Sequence, residues 1–285
     1  MARFVDRLRE ASRQANSLVC VGLDVEPVAL PRSISEQPDA IFAFNKAIID
    51  ATADLVCAYK PNLAFYEALG PAGWDVLART VAYIPSNIVT IADAKRGDIG
   101  HTAKAYAKAI FEVYGFDAVT VNPYLGQDSV QPFLDYSDRG VFVLCKTSNP
   151  GSSEFQDLQV RDRDGDVELR PLYEVVARRV REWNSQGNCG LVVGATYVKE
   201  LAAIRRAAPE LPILIPGVGA QAGDLEAAVQ DGVDERGELA IINSSRGVIY
   251  ASRGDDFSQA ARQSASTLRD AINRARFART AGGAS

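Results

Sequence analysis

Short apolar runs rich in β-branched residues recur along the chain. Each closes on polar or glycine residues and is followed by a stretch with helical spacing. They fall at 18–24 (LVCVGLD), 55–62 (LVCAYKPN), 88–95 (IVTIADAK), 118–123 (AVTVNP), 141–148 (VFVLCKTS), 191–196 (LVVGAT), 213–219 (ILIPGVG) and 239–245 (LAIINSS). Near-continuous apolar strands suit a parallel sheet buried on both faces, and the helical stretches between them are the crossovers such a sheet needs. Eight such βα units predict an α/β chain closed into a (β/α)8 (TIM) barrel. An open doubly wound sheet is the competing architecture.

Helix starts are legible in the same pattern. Asp39 precedes an apolar-periodic stretch that runs through Ile48 and Ile49, and Asp224 opens one that runs from Leu225 to Val229. Before the first strand, Phe4, Leu8, Ala11 and Ala15 share one helical face, which predicts an N-terminal helix plugging one barrel end. The loop after the fifth strand is enlarged: 156–170 is charged and carries an Asp-Gly turn signal, the mark of a loop or hairpin insertion within a single domain spanning 1–285. The tail from about 280 is expected to be disordered.

Composition narrows the chemistry. With 285 residues, 47% hydrophobic and 24% charged, the chain can build a large core. No segment reads as a membrane span or a secretory signal, so a cytoplasmic setting is expected. A net charge of −5 gives no general attraction to nucleic acid or anionic lipid. The only histidine is His101, so a His-rich zinc site cannot be built, a Ser-His-Asp triad would have to use that residue, and Lys, Asp and Glu chemistry is favoured. Cys20, Cys57, Cys145 and Cys189 are widely spaced within apolar segments and read as buried reduced thiols.

In a barrel, polar residues at the carboxyl ends of the strands form one mouth. Asp24, Lys60, Asp93, Lys95, Asn122, Lys146, Ser148, Thr196, Ser244 and Ser245 all sit at such ends. Strand alternation would turn Asp93 and Lys95 to one face with Ala94 opposite, so two opposite charges project together. By itself this pair is either a half-solvated salt bridge or a group retained for chemistry. The other polar residues also admit structural roles. Lys60 could snorkel at a strand end, Arg246 could be a solvated loop residue, Asp24 and Ser148 could cap helices, and Gln221 and Thr102 could be exposed structural groups. His101 is read as a surface or interface residue.

One ordered set of motifs goes further: Asp24 in VGLD, Lys60 in YKPN, Asp93-x-Lys95-x-x-Asp98-Ile99 followed by Thr102, Ser148 in KTSNPGS, PGVGAQAGD from Pro216 to Asp224, and Arg246 in SSRG. From about residue 18 to residue 252 the chain resembles the orotidine 5'-phosphate decarboxylase family in its longer bacterial form. The resemblance implies a homodimeric barrel that converts orotidine 5'-monophosphate to UMP and carbon dioxide with no metal or organic cofactor. It implies catalytic roles for Lys60, Asp93, Lys95 and Asp98 and a substrate-binding role for Thr102, with Asp98 and Thr102 donated across the dimer interface. It also implies that Asp24 contacts ribose, Ser148 the pyrimidine, and Gln221 and Arg246 the phosphate. Asp98 and Thr102, at i and i+4, are expected on one face of a helix after the third strand. Asn122-Pro123 stands where many shorter members carry a histidine-containing segment, which leaves the lining there and the role of Lys146 open.

Other functions remain as rivals. A Schiff-base aldolase would use a strand-end lysine as nucleophile, although flanking carboxylates disfavour a neutral amine. A metal-dependent sugar-phosphate epimerase or synthase would lose activity in chelator. A non-catalytic barrel that senses a phosphorylated ligand would bind nucleotide without turnover.

Overall fold

Aliphatic and β-branched residues fill the strands, and parallel pairing joins them into a ring. The computed structural model describes residues 3–162, 167–217 and 222–282. The strands in chain order are β1 (Val19–Val21), β2 (Ala58–Tyr59), β3 (Val89–Arg96), β4 (Ala118–Val121), β5 (Gly140–Lys146), β6 (Gln159–Val160), β7 (Arg170–Pro171), β8 (Cys189–Val193), β9 (Ile213–Pro216) and β10 (Ala240–Ser244). All but β6 and β7 form a closed barrel in the order β1-β10-β9-β8-β5-β4-β3-β2. Because β1 pairs with both β2 and β10, the sheet has no open edge and the doubly wound alternative fails. Each apolar run supplies one barrel strand; seven stop short of the polar end of the run, whereas β3 carries on one residue beyond it to Arg96.

Alternation divides the core in two. Val89 and Ile91 of β3, Ala118 of β4 and Phe142 of β5 pack inside the barrel, whereas Ala92, Val119, Val121, Val141 and Val143 pack against the surrounding helices. The helix Phe4–Gln14 closes the interior from below by inserting Phe4, Leu8 and Ala11. The Phe4 ring meets Phe142 edge-on at 5.8 Å between centroids. Gly140 opens β5 here because a Cβ at that position would run into the Phe4 ring. Ala15 is not part of this plug: it is the C-cap, and Ser12 is buried in its place. Ion pairs from Arg7 to Asp117 and from Arg13 Nε to Glu238 (2.8 Å) fasten the helix to the barrel floor.

Asp39 does precede the helix Ala40–Thr52, but its carboxylate pairs with Arg79 instead of capping the helix. Asp224 lies inside the first turn of the helix Ala222–Gly232. The enlarged loop contains the antiparallel pair β6 and β7, consistent with a hairpin, while 163–166 lie outside the described residues. The last helix is Phe257–Gly282, so it enters the segment expected to lack structure; 283–285 lie outside the described residues. All four cysteines are free and buried, and burial pushes the Cys57 and Cys189 thiols up to about 12. No helix among the described residues is long and apolar enough to cross a membrane.

Phe4→Ala should lower the unfolding free energy by about 3–5 kcal/mol in urea titration, because the plug has no neighbour free to collapse into the cavity.

Candidate active site at the barrel mouth

The β1–β2 and β2–β3 ladders continue past the assigned ends of β1 and β2. Lys60 N–H donates to the Val21 carbonyl (2.9 Å), Leu23 N–H to the Lys60 carbonyl (3.2 Å), and Asp93 N–H to the Pro61 carbonyl (3.1 Å). This backbone pairing aims Lys60 inward, where it is only 3% exposed. Its Nζ donates to Asp93 Oδ2 at 2.7 Å, and Lys95 Nζ donates to Asp93 Oδ1 at 2.6 Å. The Asp93 side chain is 11% exposed and that of Lys95 48%, so one carboxylate joins a buried ammonium to a half-exposed one.

Burial alone would favour the neutral forms of both inner groups. For Lys60, desolvation lowers the pKa, but Asp93 and then Asp24 outweigh it and the net direction is upward. For Asp93, desolvation raises the pKa, but Lys60 and then Lys95 reverse it and hold the carboxyl down at about 2. The pair is therefore ionised because each member stabilises the other's charge.

The backbone reaches this arrangement through a bulge. Ala92 lies opposite Val119 and Arg96 opposite Val121, so Asp93, Ala94 and Lys95 together stand against Thr120. Lys95 has φ 48°, in the left-handed region, which costs a non-glycine residue of order 1–3 kcal/mol. Simple alternation is thus corrected. Asp93 and Lys95 meet because the chain bulges between them, with the Thr120 hydroxyl accepting N–H bonds from Ala94 and Lys95 at 3.0 Å each. The same hydroxyl donates to Asp93 Oδ1 at 3.1 Å.

A cleft of about 1170 Å³ opens above this cluster and is lined by Asp24, Lys60, Asp93, Gly217, Asn243 and Arg246. Asp24 accepts the Asn62 N–H (3.1 Å), while Asn62 caps the helix Leu63–Glu67 through Ala64 N–H. Arg246 is exposed at the start of the short helix Arg246–Ile249. Ser148 is exposed beside Gly194 and Gly217, and a Cβ on Gly194 would lie 2.8 Å from that of Ser148, so glycine permits the close approach. Gln221 lies outside the described residues.

Asp98 and Thr102 do not share a helical face as expected. The helix is Gly100–Lys108, so Asp98 stands before its Ile99 N-cap and accepts the Ile99 N–H (2.8 Å). Among the described residues, no ion pair or hydrogen bond joins either to Lys60, Asp93 or Lys95 within the chain. His101 is exposed on that helix.

Lys146 is accounted for by an acidic neighbour. Fully buried, its Nζ donates to Asp157 Oδ1 (2.6 Å) and Ser152 Oγ (3.3 Å) and lies 4.4 Å from the Tyr197 ring centroid. Gln156 closes the same loop with two hydrogen bonds to Thr147. The enlarged segment is thereby cinched beside Ser148. Thr120 is the residue that sequence reasoning passed over. Its signal was a hydroxyl amid apolar residues on the inward-facing positions of the fourth strand, next to the strand that ends in Asp93-Ala94-Lys95.

Fold and site together define an α/β barrel that gathers two lysines and a carboxylate at its C-terminal mouth, where barrel enzymes carry their active sites. Residues 17–263 match the model of the Orotidine 5'-phosphate decarboxylase / HUMPS family, and the chain belongs to that family. An orotidine 5'-phosphate decarboxylase of Dehalococcoides mccartyi (strain CBDB1) is 51% identical over 271 residues, covering 95% of this chain and 97% of that one. One from Roseiflexus castenholzii (strain DSM 13941 / HLO8) is 53% identical over 273 residues, covering 95% and 98%. The solved structure of Leishmania donovani OMP decarboxylase superposes with a TM-score of 0.82 at 42% identity, covering 97% of this chain and 99% of that one.

The depressed Asp93 pKa carries a sign. Between about pH 4 and pH 2 the unfolded chain binds the proton that the folded chain refuses, so the stability from this group is complete above that window and lost as pH falls through it. From pH 5 to pH 2 the parent should lose about 2 kcal/mol more unfolding free energy than Asp93→Asn, measured by urea titration at each pH.

Proposed function

We propose that the barrel mouth converts orotidine 5'-monophosphate to UMP and carbon dioxide by placing the Lys95 ammonium beside C6 of the pyrimidine. The overall reaction follows from family membership and identity above 50% to curated decarboxylases over nearly the whole chain. The division of labour among side chains is our reading. Its main support is the Asp93 carboxylate held between Lys60 and Lys95 at 2.7 and 2.6 Å.

The chemistry demands such a group. When the C6–carboxylate bond breaks, its electron pair stays on C6 in an orbital in the ring plane, orthogonal to the π system, so delocalisation cannot absorb it. An adjacent cation can. Lys95 stabilises that lone pair and then transfers a proton to C6, giving UMP, and its amine recovers a proton from water. Asp93 faces the departing carboxylate, and their repulsion is relieved as carbon dioxide leaves. Lys60 holds Asp93 ionised and in place. An ammonium about 4 Å from a unit negative charge contributes about 4 kcal/mol at an effective dielectric near 20, and enzymatic accelerations require about 8–23 kcal/mol. The remainder is assigned to binding at a distance from C6: Asp24 on the ribose, Ser148 on the pyrimidine, and Gln221 with Arg246 on the phosphate.

The complete site is assigned to a homodimer in which Asp98 and Thr102 reach the neighbouring mouth. Among the described residues neither makes a hydrogen bond or ion pair to the lysine cluster within the chain, which is consistent with that use. Each step is assigned to a side chain, with no prosthetic group. Four buried thiols fit the reducing cytoplasm. The Schiff-base reading is less favoured because Lys95 Nζ is engaged as an ammonium by Asp93.

In chelator, the parent should consume orotidine 5'-monophosphate, followed by loss of orotate absorbance, and Lys95→Ala should be slower by at least about a thousandfold, the rate equivalent of one ion contact. Full turnover by Lys95→Ala would defeat the assignment. Mixing Lys95→Ala with Asp98→Ala should restore about a quarter of the parent activity, because half the dimers are then mixed and each has one intact site. Failure of the mixture to recover any activity, with subunit exchange verified, would defeat the shared site.

A further inference from the structure

We propose that Thr120 is a positioning residue for this reaction: by holding the β3 bulge through its hydroxyl, it sets where the Lys95 ammonium stands. The inference rests on the reading that Lys95 and Asp93 act on the substrate.

Thr120 is 1% exposed and follows Ala118 on the inward-facing positions of β4. A hydroxyl has one donor and two acceptor lone pairs. Here all are engaged, with Ala94 N–H and Lys95 N–H at 3.0 Å and Asp93 Oδ1 at 3.1 Å. The partners are the successive residues of the bulge, and one of them is the oxygen that receives the Lys95 ammonium. Thr120 thus fixes both ends of the Lys95 side chain, its backbone origin directly and its charged tip through Asp93.

Without the hydroxyl, two N–H groups and one carboxylate oxygen lose a partner at once. Lys95, already in the left-handed region, would then relax toward ordinary strand geometry. Misplacing a reacting group by about 1 Å can cost about a hundredfold in rate. If Thr120 merely filled space inside the barrel, valine would serve, since it keeps the branched shape and lacks only the hydroxyl.

The test compares Thr120→Val and Thr120→Ser with the parent, using turnover of orotidine 5'-monophosphate and the affinity for UMP. UMP carries hydrogen at C6 and so does not report on the alignment of Lys95. Thr120→Val should lose about tenfold or more in kcat while its UMP affinity stays within about threefold. Thr120→Ser, which keeps the hydroxyl, should stay within about threefold of the parent in both. If Thr120→Val does not fold, Thr120→Cys replaces it, its thiol being a weak donor and acceptor, and must show the same split. The proposal is overturned if kcat of the hydroxyl-free variant stays near the parent value, if Thr120→Ser falls as far as Thr120→Val, or if UMP affinity falls in parallel with kcat. Lys95→Ala measured alongside separates the two levels. Its retention of turnover sinks the site reading, whereas an inactive Lys95→Ala beside an unimpaired Thr120→Val sinks only the role of Thr120.

Discussion

The Asp93 carboxylate, shared by two ammonium groups, is the constraint on which the mouth of this barrel depends. Burying an ion costs several kcal/mol, and a buried pair recovers it only with short contacts and with the remaining lone pairs satisfied. Both conditions hold: each carboxylate oxygen receives an ammonium below 2.8 Å, and Oδ1 also accepts the Thr120 hydroxyl. The balance is asymmetric. Asp24 as well as Asp93 favours the charged Lys60, so two carboxylates balance the buried ammonium, while Lys95 stands half exposed at the outer end of the cluster.

Holding such a cluster demands local departures from regular structure, and these gather at the strand ends. β3 bulges at Asp93–Lys95, and β5 shifts register between Leu144 and Lys146, just before the loop bearing Ser148. Gly22 lies so close to Ser245 that a Cβ would overlap its hydroxyl, and Gly194 admits Ser148 in the same way. Below these residues the strands keep plain parallel register around an apolar interior, closed by Phe4 and Leu8. The regular floor supplies stability and the irregular rim supplies chemistry, with little sharing of side chains between them.

This division also explains which features could be read from the chain. Eight apolar runs predicted eight barrel strands because a strand buried on both faces needs no partner information to declare itself. Lys60, Asp93 and Lys95 could be placed at one mouth because strand ends converge there in any such barrel. The bulge could not, because its cause is nonlocal: the left-handed turn at Lys95 is maintained by a hydroxyl on the next strand. Nor could the union of Lys146 with Asp157 across the enlarged loop be foreseen, since spacing alone does not say which acid a buried cation will choose. The shared helical face expected of Asp98 and Thr102 failed for a local reason, because Gly100 has φ 53° and the helix begins two residues after Asp98.

The location of the bulge follows from how β3 and β4 are pinned. At their lower end Asp117 accepts both the N–H and the hydroxyl of Thr90 at 3.0 Å, and its own N–H returns a 3.0 Å bond to that hydroxyl. Arg7 and Arg139 hold the same carboxylate from the floor. A slip of one residue would turn Val89 and Ile91 out of the interior core, so the strand cannot release its surplus length downward. Above Ala92 the inward side is the mouth, where a polar side chain is tolerated and Thr120 offers its acceptors. The extra residues of β3 therefore emerge at Asp93, Ala94 and Lys95, and the lower clamp at Asp117 helps decide that the bulge forms at the mouth and not within the barrel.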